Sequence, residues 1–166
     1  MITVVRQKGN NMRELIFRGK HLDNGEWVQG YYVCIGGKHH YILTGKLVIE
    51  GLIVGFENIK VDPATVGQYT GLTDKNGTMI FEGDVLEVKN KITYNTVVKY
   101  GEYTPDYFIK LLELNRGTAT TSKFYGLYCE TLNEEHKELV ITNSTQYLKV
   151  IGNIHDNKQW GFNNGN

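Results

Sequence analysis

The 166-residue chain carries 18 Lys plus Arg and 18 Asp plus Glu, so its formal net charge at neutral pH is zero. A strongly basic chain would have indicated a nucleic-acid or anionic-membrane partner, and this balance gives no such indication. The length suits one domain or two small lobes with a sizeable core. Eleven Tyr, 19 Gly and only two Pro favour strands joined by tight turns over helices.

Nothing in the sequence predicts export or membrane insertion. Residues 1–11 are short, mixed and polar, unlike the apolar core of a signal peptide. The most apolar stretch, residues 48–56, is interrupted by a Glu-Gly pair, so no run reaches about 18 apolar residues. Cys34 and Cys129 lie far apart in sequence, and we interpret them as buried or half-buried free thiols. We therefore expect a soluble protein in a reducing cytoplasm.

Extended segments alternate with turn residues at roughly the 8-to-12-residue spacing of all-β proteins. The predicted strands are residues 13–18, 27–35, 39–43, 58–62, 65–71, 78–81, 85–89, 91–100, 107–114, 124–131, 138–142 and 147–154. The segment 131–138 has suitable helix propensity but too little apolar periodicity for a packed helix, so a polar loop is favoured. Residues 144–148 suit one capped helical turn. The fold class is therefore mainly β, with small antiparallel sheets and few short helices.

The densest group of turn signals lies between Val61 and Leu86. The segment Asp74-Lys-Asn-Gly77 is typical of a hairpin turn, because Asn and Gly tolerate positive φ and Asp can bond the nearby backbone. Glu82-Gly-Asp84 is a second turn, in which the central glycine is the expected positive-φ residue. Two turns in so short a segment predict a tightly folded pair of hairpins.

This block resembles the YopX family of phage and prophage proteins, through Thr70-Gly-Leu-Thr-Asp-Lys-Asn-Gly77 and Ile80-Phe-Glu-Gly-Asp-Val-Leu86. Residues 12–19 and 24–31 look like the amino-terminal pattern of that family. Val150-Ile-Gly-Asn-Ile-His-Asp-Asn157 looks like its closing segment. The resemblance therefore extends from one end of the chain nearly to the other, in the same order.

The resemblance implies the organisation of the chain. It covers a YopX-like domain at residues 12–157, after an amino-terminal extension at 1–11 and before a flexible tail at 158–166. It also implies a core related to SH3-like barrels. If the domain divides, the seam falls near Asp62-Pro63, between an amino-terminal sub-lobe at 12–62 and a barrel core at 63–157. The family has no established activity to carry over, so the resemblance implies a phage or prophage origin and the cytoplasm of a bacterial host.

Histidines and carboxylates are the first candidates for chemistry. His39 and His40 are adjacent on a strand and point to opposite faces, and no Cys-x-x-Cys or His-x-x-x-His spacing occurs. Carboxylates around the second turn are candidates for acid–base chemistry or a hard cation, but bonding of backbone amides within a charged turn is favoured. We predict no catalytic residue, no metal and no cofactor. The turn motif that we single out, with a structural or interaction role, consists of Gly71, Asp74, Asn76, Gly77, Glu82, Gly83 and Asp84.

Tyrosine-rich strands leave two functions open. The tyrosines concerned are Tyr31, Tyr32, Tyr41, Tyr94, Tyr100, Tyr103, Tyr107, Tyr125 and Tyr128. They could stack single-stranded bases beside Lys38, Lys89, Lys91, Lys99, Lys110 and Lys123. Core or interface packing is favoured, because acidic residues interleave with these lysines.

We therefore predict a non-catalytic protein-interaction module. Its expected partner is itself, as a homo-oligomer, or a phage or host protein, with no membrane partner. A β-barrel that binds single-stranded nucleic acid is the alternative.

Overall fold

The computed structural model describes residues 14–89, 93–103, 124–131, 139–140 and 145–156. Within them, the chain has no α-helix and two short 3-10 turns, Pro63–Thr65 and Thr145–Tyr147. The strands are β1 Phe17–Lys20, β2 Trp27–Ile35, β3 His39–Glu50, β4 Ile53–Lys60, β5 Gly67–Thr73, β6 Met79–Phe81, β7 Asp84–Lys89, β8 Thr93–Tyr103, β9 Phe124–Thr131, β10 Leu139–Val140 and β11 Leu148–Asn153. The mainly-β prediction is confirmed.

Some predictions fall outside these residues. They are the strand at 107–114, most of the polar loop at 131–138, the extension at 1–11 and the tail at 158–166. None of the described residues forms a helix that is long and apolar enough to cross a bilayer.

The strands form two antiparallel sheets, in the orders β4-β3-β2-β1-β5-β6 and β10-β9-β8-β7-β11. An isolated bridge between His21 and Val61 joins the ends of β1 and β4 without extending into a ladder. Because closure of a barrel needs a ladder on both sides of every strand, the described sheets are open. The SH3-like barrel that the resemblance implies is not confirmed.

The chain divides into two compact units, Met1–Gly71 and Leu72–Asn166, so the boundary falls within β5. The segment at Asp62-Pro63, where the sequence suggests a seam, is well anchored. The Asp62 carboxylate accepts a hydrogen bond from Ala64 N at 3.0 Å, and the Thr65 hydroxyl accepts one from Lys20 N at 2.8 Å. These bonds cap the first 3-10 turn and hold it against β1.

In the first unit, β1 to β4 form a meander in which few residues are fully buried. Ile42 is fully buried there, and Val61 nearly so. Gly30 on β2 lies so close to β3 that a Cβ atom would stand 2.0 Å from the carbonyl oxygen of Leu43. The meander therefore depends on a residue without a side chain at position 30.

In the second unit, β7 pairs with β8 on one side and with β11 on the other. Adjacent residues are buried on β7 (Val85 and Leu86) and on β8 (Val97 and Val98). Since successive side chains of a strand point to opposite faces, both faces of the sheet are covered at these positions. The buried cluster is Ile80, Leu86, Val98 and Cys129, with Leu72, Leu148 and Val150 packed against it.

Candidate functional site

The turn motif of the second unit is built around the buried carboxylate of Asp74. One oxygen, Oδ1, accepts hydrogen bonds from Asn76 N at 2.8 Å and Thr78 N at 2.9 Å. The other, Oδ2, accepts one from Val150 N on β11 at 3.0 Å. Burial by itself raises the pKa of Asp74, but the three backbone donors outweigh it and hold that pKa below its ordinary value. Gly77, at φ 83°, completes the turn.

The second turn contains another buried carboxylate, Asp84. Its Oδ2 accepts a hydrogen bond from Phe81 N at 2.8 Å, and its Oδ1 lies 3.4 Å from the donor Nδ2 of Asn153. Gly83 has φ 81°, as the sequence predicts. Its N–H donates to Val98 O at 2.9 Å, and its carbonyl accepts from Ile154 N at 3.0 Å. Gly83 and Asp84 therefore fasten β7 to both of its neighbours.

These contacts decide what the motif can do chemically. The carboxylates of Asp74 and Asp84 are buried acceptors of amide hydrogens, whereas Glu82 is half-buried. Across the described part of the chain, no group of three or more His, Cys, Asp and Glu side chains is arranged to hold a metal ion. Both aspartates therefore hold backbone segments together by accepting hydrogen bonds from their amides.

The two adjacent histidines lie on opposite faces of β3, as strand geometry requires. His40 Nδ1 is hydrogen-bonded to the Tyr32 hydroxyl at 2.5 Å, and the two rings stack. His39 is exposed, opposite Ile35. The two imidazoles therefore do not form a common binding or catalytic site.

Among the described residues, the two adjacent tyrosines of β2 do not share one face. Tyr31 and Tyr32 point to opposite faces of β2, while Tyr94 and Tyr100 lie on β8 in the other unit. The side chains of Tyr103, Tyr107, Tyr125 and Tyr128 lie outside the described part. The same holds for Lys91, Lys110 and Lys123, whereas Lys38 is exposed in the turn after β2, Lys89 pairs with Glu87 and Lys99 pairs with Glu130.

Half of the exposed large apolar side chains in the described part of the chain lie at the far end of the β3–β4 hairpin, residues 47–56, which we call the hairpin arm. A two-residue turn at Gly51 and Leu52 closes it, with Gly51 at φ 60°. Six large apolar side chains of the arm are exposed, from 46% for Phe56 to complete exposure for Leu52. They are Leu47, Ile49, Leu52, Ile53, Val54 and Phe56.

Four of these side chains share one face of the arm. Leu47 lies opposite Phe56, and Ile49 lies opposite Val54. Directly opposed residues of an antiparallel pair project to the same side. The apolar surface of the arm is therefore contiguous, not a scatter of single exposed residues.

The hairpin also carries a polar cluster and a groove. Glu57 accepts hydrogen bonds from Lys46 Nζ at 3.0 Å and from the Thr44 hydroxyl at 2.8 Å. The bond from Lys46, followed by that from Thr44, lowers the pKa of Glu57. A groove of about 350 Å³ runs along the hairpin beside these groups. It is lined by Val48, Glu50, Ile53, Gly55, Phe56, Glu57 and Asn58.

The strands of this arm were not predicted. The predicted strands end at residue 43 and resume at 58, because Gly45 and the Glu50-Gly51 pair interrupt the apolar pattern. The available signal was the segment Leu47-Val-Ile-Glu-Gly-Leu-Ile-Val54, in which apolar residues flank a central glycine. That arrangement is typical of a hairpin.

The two open antiparallel sheets, with amide-bonded carboxylates at their turns, define a mainly-β protein built from hairpins. The family model described as "YopX protein" matches residues 16–159. The chain therefore belongs to the YopX family. No curated protein and no solved structure shows a significant match to it.

Proposed function

We propose that this YopX-family chain is a non-catalytic protein-interaction module of phage or prophage origin, acting in the cytoplasm of its bacterial host through the hairpin arm. The observation that supports it best is the contiguous set of exposed apolar side chains from Leu47 to Phe56. The aspartates of the turn motif support the non-catalytic part, since their oxygens already accept backbone hydrogen bonds.

The size of the patch favours a binding role over chance exposure. Summed over the four side chains that share a face, the exposed fraction equals a little over two whole residues. At about 150 Å² for each, this face exposes roughly 330 Å² of contiguous apolar surface, which is within the range of the largest patch on a typical monomer, a patch that is often functional. A surface of this kind is typical of a site that a partner covers.

Crosslinking in cells tests this proposal. The test variant carries Ile49→Lys and Phe56→Lys, both on the shared face of the arm. The matched control is Leu22→Lys, which changes an equally exposed leucine outside the arm. We expect crosslinked complexes for the wild type and the control, and a several-fold loss for the double variant. Equal crosslinking of all three proteins, each folded by circular dichroism, would contradict the proposal.

One observation supports nucleic-acid binding as a second candidate. The guanidinium of Arg18 lies 4.6 Å from the centre of the Trp27 ring, and Lys20 Nζ lies 5.5 Å from it. Tyr31 projects from the same face of β2, four residues along the strand. Aromatic rings beside cations can stack bases and contact phosphates.

A gel shift with single-stranded DNA and RNA at two salt concentrations tests this second candidate. Binding through phosphates must weaken as salt rises, and Tyr31→Ala should weaken it further. The absence of a shift at low salt would exclude it.

A further inference from the structure

The outer edge of β4 has backbone groups directed away from β3. Val61 N donates to His40 O on the β3 side, and Leu22 N donates to Lys60 O on the opposite side, each at 3.0 Å. Because these directions alternate along an antiparallel strand, the N–H and C=O groups of Val54, Phe56 and Asn58 also point outward. The Phe56 carbonyl accepts a long hydrogen bond of 3.4 Å from Nδ2 of Asn58, which an incoming strand would replace. In the described sheet, β3 is the strand next to β4.

Within residues 53–59 this edge carries no lysine or proline, although Lys60 ends the strand and the β3–β4 ladder shifts register between Leu43 and Leu47. Natural edge strands carry lysines, prolines or bulges that block the approach of a second strand. Between Ile53 and Ile59 the only charged residue is Glu57. Its carboxylate is held by Lys46 and Thr44 of its own hairpin. Among the described residues, the edge from Val54 to Asn58 is therefore open to an incoming strand, whereas Leu22 N already bonds the carbonyl oxygen of Lys60 beyond it.

We propose that the occupant of this edge is β4 of a second copy of the same chain, paired antiparallel about a two-fold axis perpendicular to the sheet. This inference rests on the proposed function and names the partner for the arm. A two-fold axis in this direction maps each face of the sheet onto itself. Residues that lie opposite each other in the two copies therefore project from the same face, which requires their two residue numbers to add up to an even number.

Charge and side-chain pairing select the register. Centring the axis on Phe56 places Ile53 opposite Ile59 of the second copy, and Gly55 opposite its Glu57. In this register, the outward-facing N–H and C=O groups of one copy also lie opposite those of the other, as hydrogen bonding between the strands requires. Centring the axis on Glu57 would oppose two like charges, which is unfavourable. The zero net charge adds no overall repulsion between copies.

The contact area sets the strength of the dimer. The apolar side chains nearest the edge are Leu52, Ile53, Val54 and Phe56, which together expose nearly three side-chain equivalents. Even if pairing covered all of it, that is about 400 Å² per copy, against about 800 Å² for a standard interface. The dimer is therefore weak and concentration-dependent.

Sedimentation velocity of the purified full chain, from about 1 to 100 µM, tests this pairing. Asn58→Pro removes an outward N–H and places a ring on the edge, while it leaves the arm's apolar side chains intact. Asn58→Thr is the matched control, because it keeps the N–H. We expect dimers to increase with concentration for the wild type and for Asn58→Thr, and at least about tenfold weaker association for Asn58→Pro.

A wild type that stays monomeric over the whole range would overturn the inference, and so would equal association of Asn58→Pro. Circular dichroism checks that the proline variant is folded, and Val54→Pro is the substitute if it is not. If the wild type is monomeric but Ile49→Lys/Phe56→Lys loses crosslinks in cells, the arm binds another protein and only the self-pairing is wrong. If Asn58→Pro disrupts dimers while Ile49→Lys/Phe56→Lys leaves the crosslinks in cells unaffected, the edge pairing is correct and the proposed role of the arm's apolar face is wrong.

Discussion

Asp74 Oδ2 accepts a hydrogen bond from the backbone N–H of Val150 at 3.0 Å, although 76 residues separate them in sequence. The other oxygen of the same carboxylate closes the Asp74–Gly77 turn. One side chain therefore fixes a local turn and attaches β11, the last strand of the second unit. This explains why an aspartate, and not merely a turn-forming residue, stands at position 74.

Asp74→Ala should strongly destabilise the second unit. The substitution removes three hydrogen bonds to an ionised acceptor and leaves their partly buried amide donors without it, which costs about 2–4 kcal/mol of unfolding free energy. Lys75→Ala, at the exposed neighbour, is the control and should change stability by about 0.5 kcal/mol or less. Urea denaturation followed by circular dichroism measures both. Equal urea midpoints for the two variants would show that the hydrogen bonds of Asp74 contribute little to stability.

The same carboxylate should make stability depend on acid. Because the pKa of Asp74 is lower in the folded than in the unfolded chain, its contribution is fully present above the unfolded pKa of about 3.9. It is lost as the pH falls through the folded pKa. The difference in unfolding free energy between wild type and Asp74→Asn should therefore narrow below about pH 4. A difference that stays constant from neutral pH into that range would contradict the assigned protonation state.

Much of this fold could be predicted from local chemistry. The strand Trp27–Ile35 has the predicted bounds because alternating residues lie between turn residues at both ends. The positive φ of Gly83 was predictable because a turn between Glu82 and Asp84 requires it. Signals of this kind are complete within a few residues, so they do not depend on the rest of the molecule.

Long-range contacts could not be predicted in this way. Nothing near Val150 in the sequence indicates that its N–H donates a hydrogen bond to the Asp74 carboxylate. Likewise, no local pattern shows that Ile49 and Phe56 lie exposed, since apolar residues usually indicate burial. The candidate site was missed because exposure depends on what the rest of the chain leaves uncovered.

Gly30→Ala should disrupt the first unit. The added Cβ would stand 2.0 Å from the Leu43 carbonyl oxygen, a backbone atom that cannot move without displacing β3. We expect a loss of about 3 kcal/mol or more, or failure to fold. Gly55→Ala is the control, because it lies in the neighbouring strand β4 with open space around its Cβ position. If both alanine variants unfold at the same urea concentration as the wild type, β2 and β3 are not packed as closely as described.

The two cysteines should differ sharply in reactivity toward a thiol reagent such as Ellman's reagent. Cys34 is exposed, contrary to the expectation that both thiols are at least half-buried, because it lies near the end of β2 beside the Gly36-Gly37 turn. Cys129 is buried, and burial raises its pKa to about 11. At mildly alkaline pH, one thiol per chain should react at once and the second only on unfolding in denaturant, since the thiolate is the reacting form. Cys34→Ser should abolish the fast phase and Cys129→Ser the slow one, whereas rapid reaction of both thiols in the native protein would show that Cys129 is accessible.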